Sequence, residues 1–403
     1  MGQLTRIEDA TNLPRWFAAT YDILKGLRVG RLDIELPDGQ TFRMEGSTPG
    51  PVAVLTVHNP GLFARLIRDG ELGFSEAYMD GWWSTPDLQA LLDLLLLSND
   101  TVGRTLPGIA FVRLYERARH WLRSNSKAQA ARNISYHYDL GNEFYGRWLD
   151  PSMTYSSALF ETGQEDLEAA QAKKYDAICR LIDAKEGDHL LEIGCGWGGF
   201  AEYAAKHRGA KVTGLTISKA QHDYARERMF REGLSDKVDI VMRDYRDERG
   251  HYDGIASIEM FEAVGEKYWP SYFSTVHDRL KPGAHAGLQI ITIADHLFDS
   301  YRRSVDFVQK YIFPGGMLPS VPALREQVQM AGLEQIDMAQ LGDSYSETLR
   351  RWRADFNGAW DEIRELNFDE RFARMWNFYL ASCAACFRAG TTDVTHLGLR
   401  RTA

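Results

Sequence analysis

A glycine-rich turn at residues 192–199 is the part of this sequence that most clearly points to chemistry. It reads Glu-Ile-Gly-Cys-Gly-Trp-Gly-Gly, so Gly194, Gly196 and Gly199 satisfy the pattern G-x-G-x-x-G. Glycines at this spacing let a strand turn tightly into a helix and let a ligand approach the backbone. The pattern alone fits nucleotide-binding sites of several kinds.

The residues around the turn distinguish between two cofactors. A nicotinamide site places an acidic residue about 20 positions beyond the turn, on the ribose hydroxyls. Here the second strand ends at Leu215 and Thr216 without a carboxylate. Glu192 can orient the loop and interact with a cationic cofactor, and Asp244 can accept a hydrogen bond from an adenine amino group. We therefore predict S-adenosylmethionine as the cofactor, with capping of neighbouring helices as the alternative role of both carboxylates.

The elements that must position these residues alternate between strand and helix. The strand-like runs are His189–Ile193, Lys211–Ile217, Val238–Met242, Gly254–Ile258 and His285–Ile293, and the helical runs are Phe200–Lys206, Lys219–Arg231 and Tyr272–Arg279. This alternation predicts an α/β fold with a doubly wound, Rossmann-like parallel sheet. Ligands of such sheets bind at the carboxyl ends of the strands. More helix is expected between Pro322 and Phe387.

The N-terminal part has a different character. The alternating runs Leu32–Leu36 and Thr41–Met44 flank Pro37-Asp38-Gly39, which predicts a hairpin. Further elements are expected at Val52–Val57 (strand), Ser75–Met79 (helix) and Asp87–Leu97 (helix). We predict a smaller α+β domain over residues 1–120, a basic linker over 121–132 and the doubly wound domain over 133–403.

Composition and charge restrict the classes of molecule that this protein is expected to bind. The net charge of -9 argues against generic nucleic-acid binding. Residues 113–132 are nonetheless rich in arginine and lysine, which is typical either of a surface that attracts anionic phospholipids or of a solvated linker. No apolar run reaches the ~20 residues that span a bilayer. Four cysteines are too few for a disulfide scaffold, and Cys383 and Cys386 are expected in the core, so we predict a cytoplasmic protein without a metal site.

The chain resembles the cyclopropane fatty-acid synthase family of S-adenosylmethionine-dependent methyltransferases over nearly its full length. The motifs that carry the resemblance are Glu76-Ala77-Tyr78-Met79-Asp80-Gly81-Trp82-Trp83, Tyr136-His137-Tyr138-Asp139-Leu140-Gly141-Asn142, Met153-Thr154-Tyr155-Ser156, Leu191-Glu192-Ile193-Gly194-Cys195-Gly196-Trp197-Gly198, Gly214-Leu215-Thr216-Ile217-Ser218, Met260-Phe261-Glu262-Ala263-Val264-Gly265 and Tyr311-Ile312-Phe313-Pro314-Gly315-Gly316. The resemblance implies a class I methyltransferase domain and methyl transfer to the cis double bond of an acyl chain in membrane phospholipid. It further implies that the N-terminal domain assists lipid access and dimerisation.

The resemblance also implies which residues contact the cofactor. The cofactor-binding set is Tyr155 and Ser156 for the methionine part, Glu192, Gly194 and Gly196 for the turn, Leu215, Thr216 and Gln221 for the ribose and adenine, and Asp244 and Tyr245 for the adenine. Attack of an alkene on a sulfonium methyl group generates a carbocation, so the site needs an apolar or aromatic lining and a base. Candidates for the lining are Trp197, Tyr268, Trp269, Phe313 and Tyr345.

Family members that close a cyclopropane ring hold a bicarbonate ion as the base, in a pocket of Cys, Glu, His, Ile and Tyr. The resemblance assigns Glu262, Tyr345 and Ile293 to three of these positions, whereas Ser157 stands for the Cys and Ile291 for the His. The isoleucine removes a polar partner of the anion, so bicarbonate is possible but doubtful. Glu262 could then be the base itself, with Tyr345 orienting it, and the cation could yield a cyclopropane or a methyl- or methylene-branched chain.

The expected partners follow from this resemblance. We predict a phospholipid substrate, peripheral contact with the anionic inner face of the membrane and a homodimer. Two alternatives remain open: a small-molecule methyltransferase of the same fold, and a lipid-binding relative that has lost its chemistry.

Overall fold

A computed structural model describes residues 6–98 and 140–402. The predicted linker, 121–132, the basic stretch 113–132 and the first four residues of the Tyr136–Asn142 motif lie outside the described residues. The strands are β1 Val29–Glu35, β2 Thr41–Glu45, β3 Thr48–Val57, β4 Trp83–Ser84, β5 His189–Ile193, β6 Lys211–Thr216, β7 Val238–Met242, β8 Tyr252–Ile258, β9 Leu280–Ile293, β10 Leu333–Gln340 and β11 Thr392–Arg401. Within the described ranges, no helix is both long and apolar enough to cross a membrane.

The helices of the described residues fall between these strands. They are α1 Phe17–Leu24, α2 Gly61–Met79, α3 Leu88–Leu97, α4 Asn142–Gly146, α5 Leu167–Leu181, α6 Gly199–His207, α7 Lys219–Arg231, α8 Trp269–Arg279, α9 Asp295–Tyr301, α10 Phe307–Tyr311, α11 Val321–Met330, α12 Gly342–Gly358, α13 Trp360–Arg364 and α14 Glu370–Arg388. Short 3₁₀ turns lie at Ile7–Asp9, Tyr245–Asp247, Phe261–Ala263 and Glu266–Tyr268.

The chain forms two compact units, and the first is not continuous in sequence. It combines the N-terminal residues with Ser304–Ile312 and Trp360–Ala389, two segments that the prediction had placed in the second domain. The reason is visible at α3 and α14. The side-chain amide of Gln89 donates to the carbonyl of Ala381 (3.2 Å), and Arg388 forms an ion pair with the buried Asp93. Contacts over almost 300 residues of sequence cannot be read from local patterns.

The first unit contains a four-stranded sheet in the order β2-β1-β3-β4. The predicted hairpin is confirmed, because β1 and β2 pair antiparallel around the Pro-Asp-Gly turn. The third strand pairs parallel to β1. Two of the motifs meet in this unit, since Glu76 accepts hydrogen bonds from Lys310 (2.9 Å) and Tyr311 (2.7 Å). These donors, together with Arg65, outweigh the effect of burial and lower the pKa of Glu76 to about 2.

The second unit is built on a seven-stranded sheet in the order β10-β11-β9-β8-β5-β6-β7. Strands β9, β8, β5, β6 and β7 are parallel to one another, and β11 is antiparallel to both β9 and β10. This confirms the predicted doubly wound, Rossmann-like α/β fold. Helices cover two hydrophobic layers, one around β8, β9 and α8 and the other around β5, β6 and α5. The chain order reverses at β5, which lies between β6 and β8, and ligands of such sheets bind at that point.

Candidate functional site

The glycine turn leaves the carboxyl end of β5 and leads into α6. The backbone N–H groups of Gly194 and Cys195 donate to the carbonyl of Leu215 (3.0 and 2.8 Å), which ties the turn to β6. Gly194 and Gly196 have φ angles of +84° and +52°, in the region that favours glycine. A Cβ on Gly194 would lie 2.6 Å from Met260 Cγ, whereas one on Gly196 would meet no atom within 4 Å. The turn is therefore packed from below and open above Gly196, where a ligand can approach the backbone.

Glu192 lies beneath this turn and fits a cationic cofactor. The side chain is 3% exposed, and its Oε2 has no hydrogen-bond partner among the described residues. Burial raises the pKa of Glu192 to about 8, partly offset by the nearby Lys174. A buried carboxylate oxygen without a partner is costly unless a ligand satisfies it. S-adenosylmethionine carries both an ammonium and a sulfonium group, so the residues present suit it.

The segment with Tyr155 and Ser156 is held by helix α5, which the prediction did not include. Gln171 donates to the carbonyl of Ser156 (2.9 Å), and the buried ammonium of Lys174 donates to its Oγ (2.7 Å). Burial lowers the pKa of Lys174 to about 7, and the nearby carboxylates offset only part of this effect. The sequence did contain a signal for this role. Lys174 lies one helical turn after Gln171 and one turn before Ile178, which is fully buried, so the lysine belongs to the buried face of the helix.

The residues assigned to the ribose and adenine follow β6 and β7. Thr216 Oγ1 donates to Gln221 Oε1 (3.0 Å), which fixes both side chains at the start of α7. Asp244 accepts from the backbone N–H of Arg246 (3.0 Å) and from its guanidinium (2.5–2.8 Å). The capping role considered for Asp244 is therefore present in the structure. Tyr245 packs edge-on against Tyr272 at 5.5 Å.

The residue at the centre of the predicted catalytic group is Glu259, which the sequence analysis did not include. Its Oε1 accepts from the backbone N–H of Ser157 (2.7 Å), and its Oε2 accepts from the hydroxyl of Tyr345 (2.7 Å). Gln289 adds a third donor to Oε1 (2.8 Å). These contacts engage Ser157 and Tyr345, two residues at positions that the resemblance assigned to the bicarbonate pocket, so the described site does not fit that ion.

The backbone at Glu259 is also unusual. Its φ is +49°, a left-handed conformation that non-glycine residues rarely adopt. Such strain costs roughly 1–3 kcal/mol and concentrates at functional sites. The signal was present in the sequence as a second glutamate three positions before Glu262, at the carboxyl end of β8.

Glu262 lies beside this group with a different environment. Its Oε1 accepts from the backbone N–H of Ile291 (2.5 Å), and its Oε2 has no partner among the described residues. Burial and the negative charge of Glu259 raise the pKa of Glu262 to about 8. Ile293 follows on the same face of β9, and its backbone N–H donates to Pro319 (3.0 Å). The sequence had suggested Glu262 as the partner of Tyr345, whose hydroxyl instead donates to Glu259.

Aromatic rings surround the predicted methionine-binding segment. The ring of Tyr155 lies 5.2 Å from Trp352, 5.3 Å from Tyr145 and 6.4 Å from Phe313. Trp197 lies 5.1 Å from Tyr145, and Tyr345 lies 6.1 Å from Trp352. Of the five predicted lining residues, Trp197, Phe313 and Tyr345 therefore join one aromatic cluster, which can stabilise positive charge.

The other two predicted lining residues have different surroundings. Trp269 is 3% exposed and stacks on Phe261 at 5.4 Å, within the core around α8. The cations of Arg246 and Lys267 lie over the ring of Tyr268 at 5.6 and 5.5 Å. These contacts give Trp269 and Tyr268 a structural role in packing and surface ion contacts.

Comparison with known proteins agrees with this fold. The sequence model of the mycolic acid cyclopropane synthetase family matches residues 125–397. Tuberculostearic acid methyltransferase UfaA1 of Mycobacterium tuberculosis is 40% identical over 84% of this chain and 81% of that protein. Cyclopropane-fatty-acyl-phospholipid synthase of Escherichia coli K12 is 37% identical over 89% of this chain and 90% of that protein.

Solved structures are also similar to this chain. Mycolic acid cyclopropane synthase CmaA1, complexed with SAH and CTAB, matches with a TM-score of 0.63 and 28% identity over 67% of this chain and 98% of that chain. The cyclopropane synthase MmaA2 from Mycobacterium tuberculosis gives the same TM-score, identity and coverage. The chain belongs to the mycolic acid cyclopropane synthetase family, and it is an S-adenosylmethionine-dependent methyltransferase.

Proposed function

We propose that this methyltransferase adds a one-carbon unit to the cis double bond of an unsaturated acyl chain in membrane phospholipid, with Glu259 as the proton acceptor. One observation carries the proposal: the Glu259 carboxylate accepts hydrogen bonds from Ser157 and Tyr345, at the place where family relatives are expected to hold an external base. A carboxylate fixed by these donors is a general base that belongs to the chain itself.

The residues of the site divide the work. S-adenosylmethionine, when bound, supplies the electrophilic methyl group. Glu192 and the Gly194–Gly196 turn would hold the cofactor. The aromatic cluster around Tyr155 stabilises the carbocation on the acyl chain and keeps water away from it. Glu259 then accepts the proton, and the electron pair of the broken C–H bond remains on the acyl chain.

We propose a methylene-branched chain as the product. A hydride shift first moves the positive charge to the carbon that carries the added methyl group. The added carbon then loses a proton to Glu259, and the electron pair of that C–H bond forms the C=C bond. These steps balance without a further reactant. One feature supports this outcome: Ile291 presents a hydrocarbon side chain where ring-closing relatives are expected to carry a histidine. A saturated methyl branch would need a separate reductant.

The setting of the reaction is part of the proposal. A phospholipid substrate implies peripheral contact with the bilayer from its cytoplasmic side. The family relative from Escherichia coli is named a fatty-acyl-phospholipid synthase, which supports a phospholipid rather than a free fatty acid. We also propose that the protein is a homodimer and that residues 1–120 assist lipid access.

The test uses the full-length protein, labelled S-adenosylmethionine and vesicles of cis-monounsaturated phospholipid. Acyl products are released and identified by mass spectrometry, with fragmentation to locate the added carbon. A methylene branch is expected without added bicarbonate. A cyclopropane product would refute the product assignment, and label transfer to no lipid would refute the proposed function.

A further inference from the structure

A buried pair of polar side chains lies beside Glu259 on the antiparallel strands β9 and β11. Gln289 of β9 and His396 of β11 are register partners, and they are 1% and 5% exposed. The amide nitrogen of Gln289 donates to Glu259 Oε1 (2.8 Å) and to the carbonyl of Ser157 (3.3 Å). Its amide oxygen lies 2.7 Å from His396 Nε2.

The chemistry of the neighbours determines which atom is the donor in each contact. Both partners of the Gln289 nitrogen are acceptors, so the amide oxygen must face His396. That oxygen can only accept, so Nε2 of His396 must carry a proton and donate it. Burial lowers the pKa of His396 to about 4, with the positive charge of Lys174 acting in the same direction, so the ring remains neutral at physiological pH.

We propose that His396 is a positioning residue for the reaction: it fixes the amide of Gln289, and Gln289 in turn holds the Glu259 carboxylate toward the substrate. A rotated amide would place its oxygen against the carboxylate, where two acceptors repel each other. This inference rests on the proposed role of Glu259 as the base. It assigns to the last strand of the fold a function in catalysis that no sequence motif indicates.

Groups from several elements set the pKa of Glu259, so the pH dependence of the rate can report on the Gln289 contact. Lys174 of α5 and the donors Ser157, Tyr345 and Gln289 favour the ionised carboxylate, whereas burial favours the neutral acid. Loss of the Gln289 donor therefore raises the pKa of Glu259 further. The acid limb of the pH–rate profile should then move to higher pH, an effect that simple loss of packing would not produce.

The experiment compares His396→Met with His396→Gln in the full-length enzyme. Both side chains are similar in length, but only glutamine can place a donor nitrogen three bonds beyond Cβ, as Nε2 of histidine is. We expect H396M to lower kcat about 10- to 100-fold, the value of one hydrogen bond to a charged group, with the KM values for cofactor and lipid unchanged. H396Q should restore both kcat and the acid limb.

A double-mutant cycle tests whether His396 acts through Gln289. If it does, the variant Q289M/H396M should be no slower than Q289M alone. A wild-type kcat and acid limb in H396M would overturn the proposal, as would failure of H396Q to restore them or additive losses in the cycle. Inactivity of E259Q with normal H396M would refute this inference alone, whereas normal activity of E259Q would refute the proposed base as well.

A measurement on the unaltered protein covers the case in which H396M does not fold. The ring nitrogens of His396, labelled with ¹⁵N, should show a neutral ring protonated at Nε2 from pH 6 to 8. A ring protonated at Nδ1, or one that titrates in this range, would overturn the proposal.

Discussion

Replacing Glu259 by glutamine is the most direct test of the site. The amide has the shape of the carboxylate, so its oxygen can still accept from the backbone N–H of Ser157 and from Gln289. The hydroxyl of Tyr345, which now donates to Oε2, can rotate and accept from the new amide nitrogen. The E259Q variant therefore keeps the hydrogen-bond geometry and loses only the proton acceptor.

The expected loss follows from that single change. Positioned general bases contribute about 100- to 10,000-fold to rate, so kcat should fall by that factor, equivalent to about 3–5 kcal/mol in the barrier. The KM values should not change, because the hydrogen bonds of Glu259 are to Ser157, Gln289 and Tyr345 and not to the predicted cofactor residues. Thermal stability should not fall, since a neutral amide avoids the free-energy cost of burying a charge, the same cost that raises the pKa of the Glu259 carboxyl.

Glu262→Gln is the matched control. The pKa of Glu262 is raised to about 8, so this side chain is already neutral at pH 7 and an amide should replace it with little change in kcat. The assay is transfer of labelled methyl groups to phospholipid vesicles, with the variant's fold checked by cofactor binding. Activity retained in E259Q and lost in E262Q would refute the reasoning and make Glu262 the base.

Three further predictions concern rescue, pH and the turn. Glu259→Gly suits the φ of +49° and frees the Ser157 and Tyr345 donors, so added bicarbonate should restore part of the lost rate in E259G but not in E259Q. In the unaltered enzyme, kcat should fall as pH drops through the raised pKa of Glu259, above the ordinary value of about 4.3, and a pH–rate profile measures this limb. Gly196→Ala should weaken cofactor binding in calorimetry at a cost of about 1–2 kcal/mol in stability, whereas Gly194→Ala should also disrupt the fold because its Cβ meets Met260.

Cofactor binding should also release protons. Because the pKa of Glu192 is about 8 in the free protein, much of this side chain is protonated at pH 7. A bound cation favours the ionised form, so binding should tighten as pH rises toward 8. Calorimetry in buffers of different ionisation enthalpy measures the protons released. The same release in Glu192→Gln would contradict this role.

Much of the fold could be predicted from local patterns. Strands β5 and β7 have the predicted bounds, and β8 begins two residues earlier than expected, at Tyr252. Strands β10 and β11 were missed. β10 has mostly exposed side chains, so burial leaves little periodic pattern in it, and β11 lies beyond the predicted helical tail. Helix α5 was not predicted, although Asp166 caps it, because its buried face includes the polar Gln171 and Lys174 and so lacks a clear apolar pattern.

The site could be predicted only as far as its motifs extend. Ser157, Glu262 and Tyr345 were expected together, and the structure does bring their segments to one place. Glu259 was missed because its role comes from contacts with residues 102 positions before it and 86 positions after it. A resemblance identifies positions that relatives share, and it cannot identify a side chain that takes the place of a bound ion.

In the proposed mechanism, the division of charge between Glu259 and Glu262 makes Glu259 the base. Two buried carboxyls this close do not both ionise readily, so the one with more donors takes the charge. Among the described residues, Glu259 has three hydrogen-bond donors, whereas Glu262 has only the backbone N–H of Ile291 and an Oε2 without a partner. A single negative charge then lies beside the developing carbocation, where it stabilises the cation and can accept its proton. If Glu262 were ionised as well, the second charge would raise the pKa of Glu259, so neutral Glu262 keeps the base available.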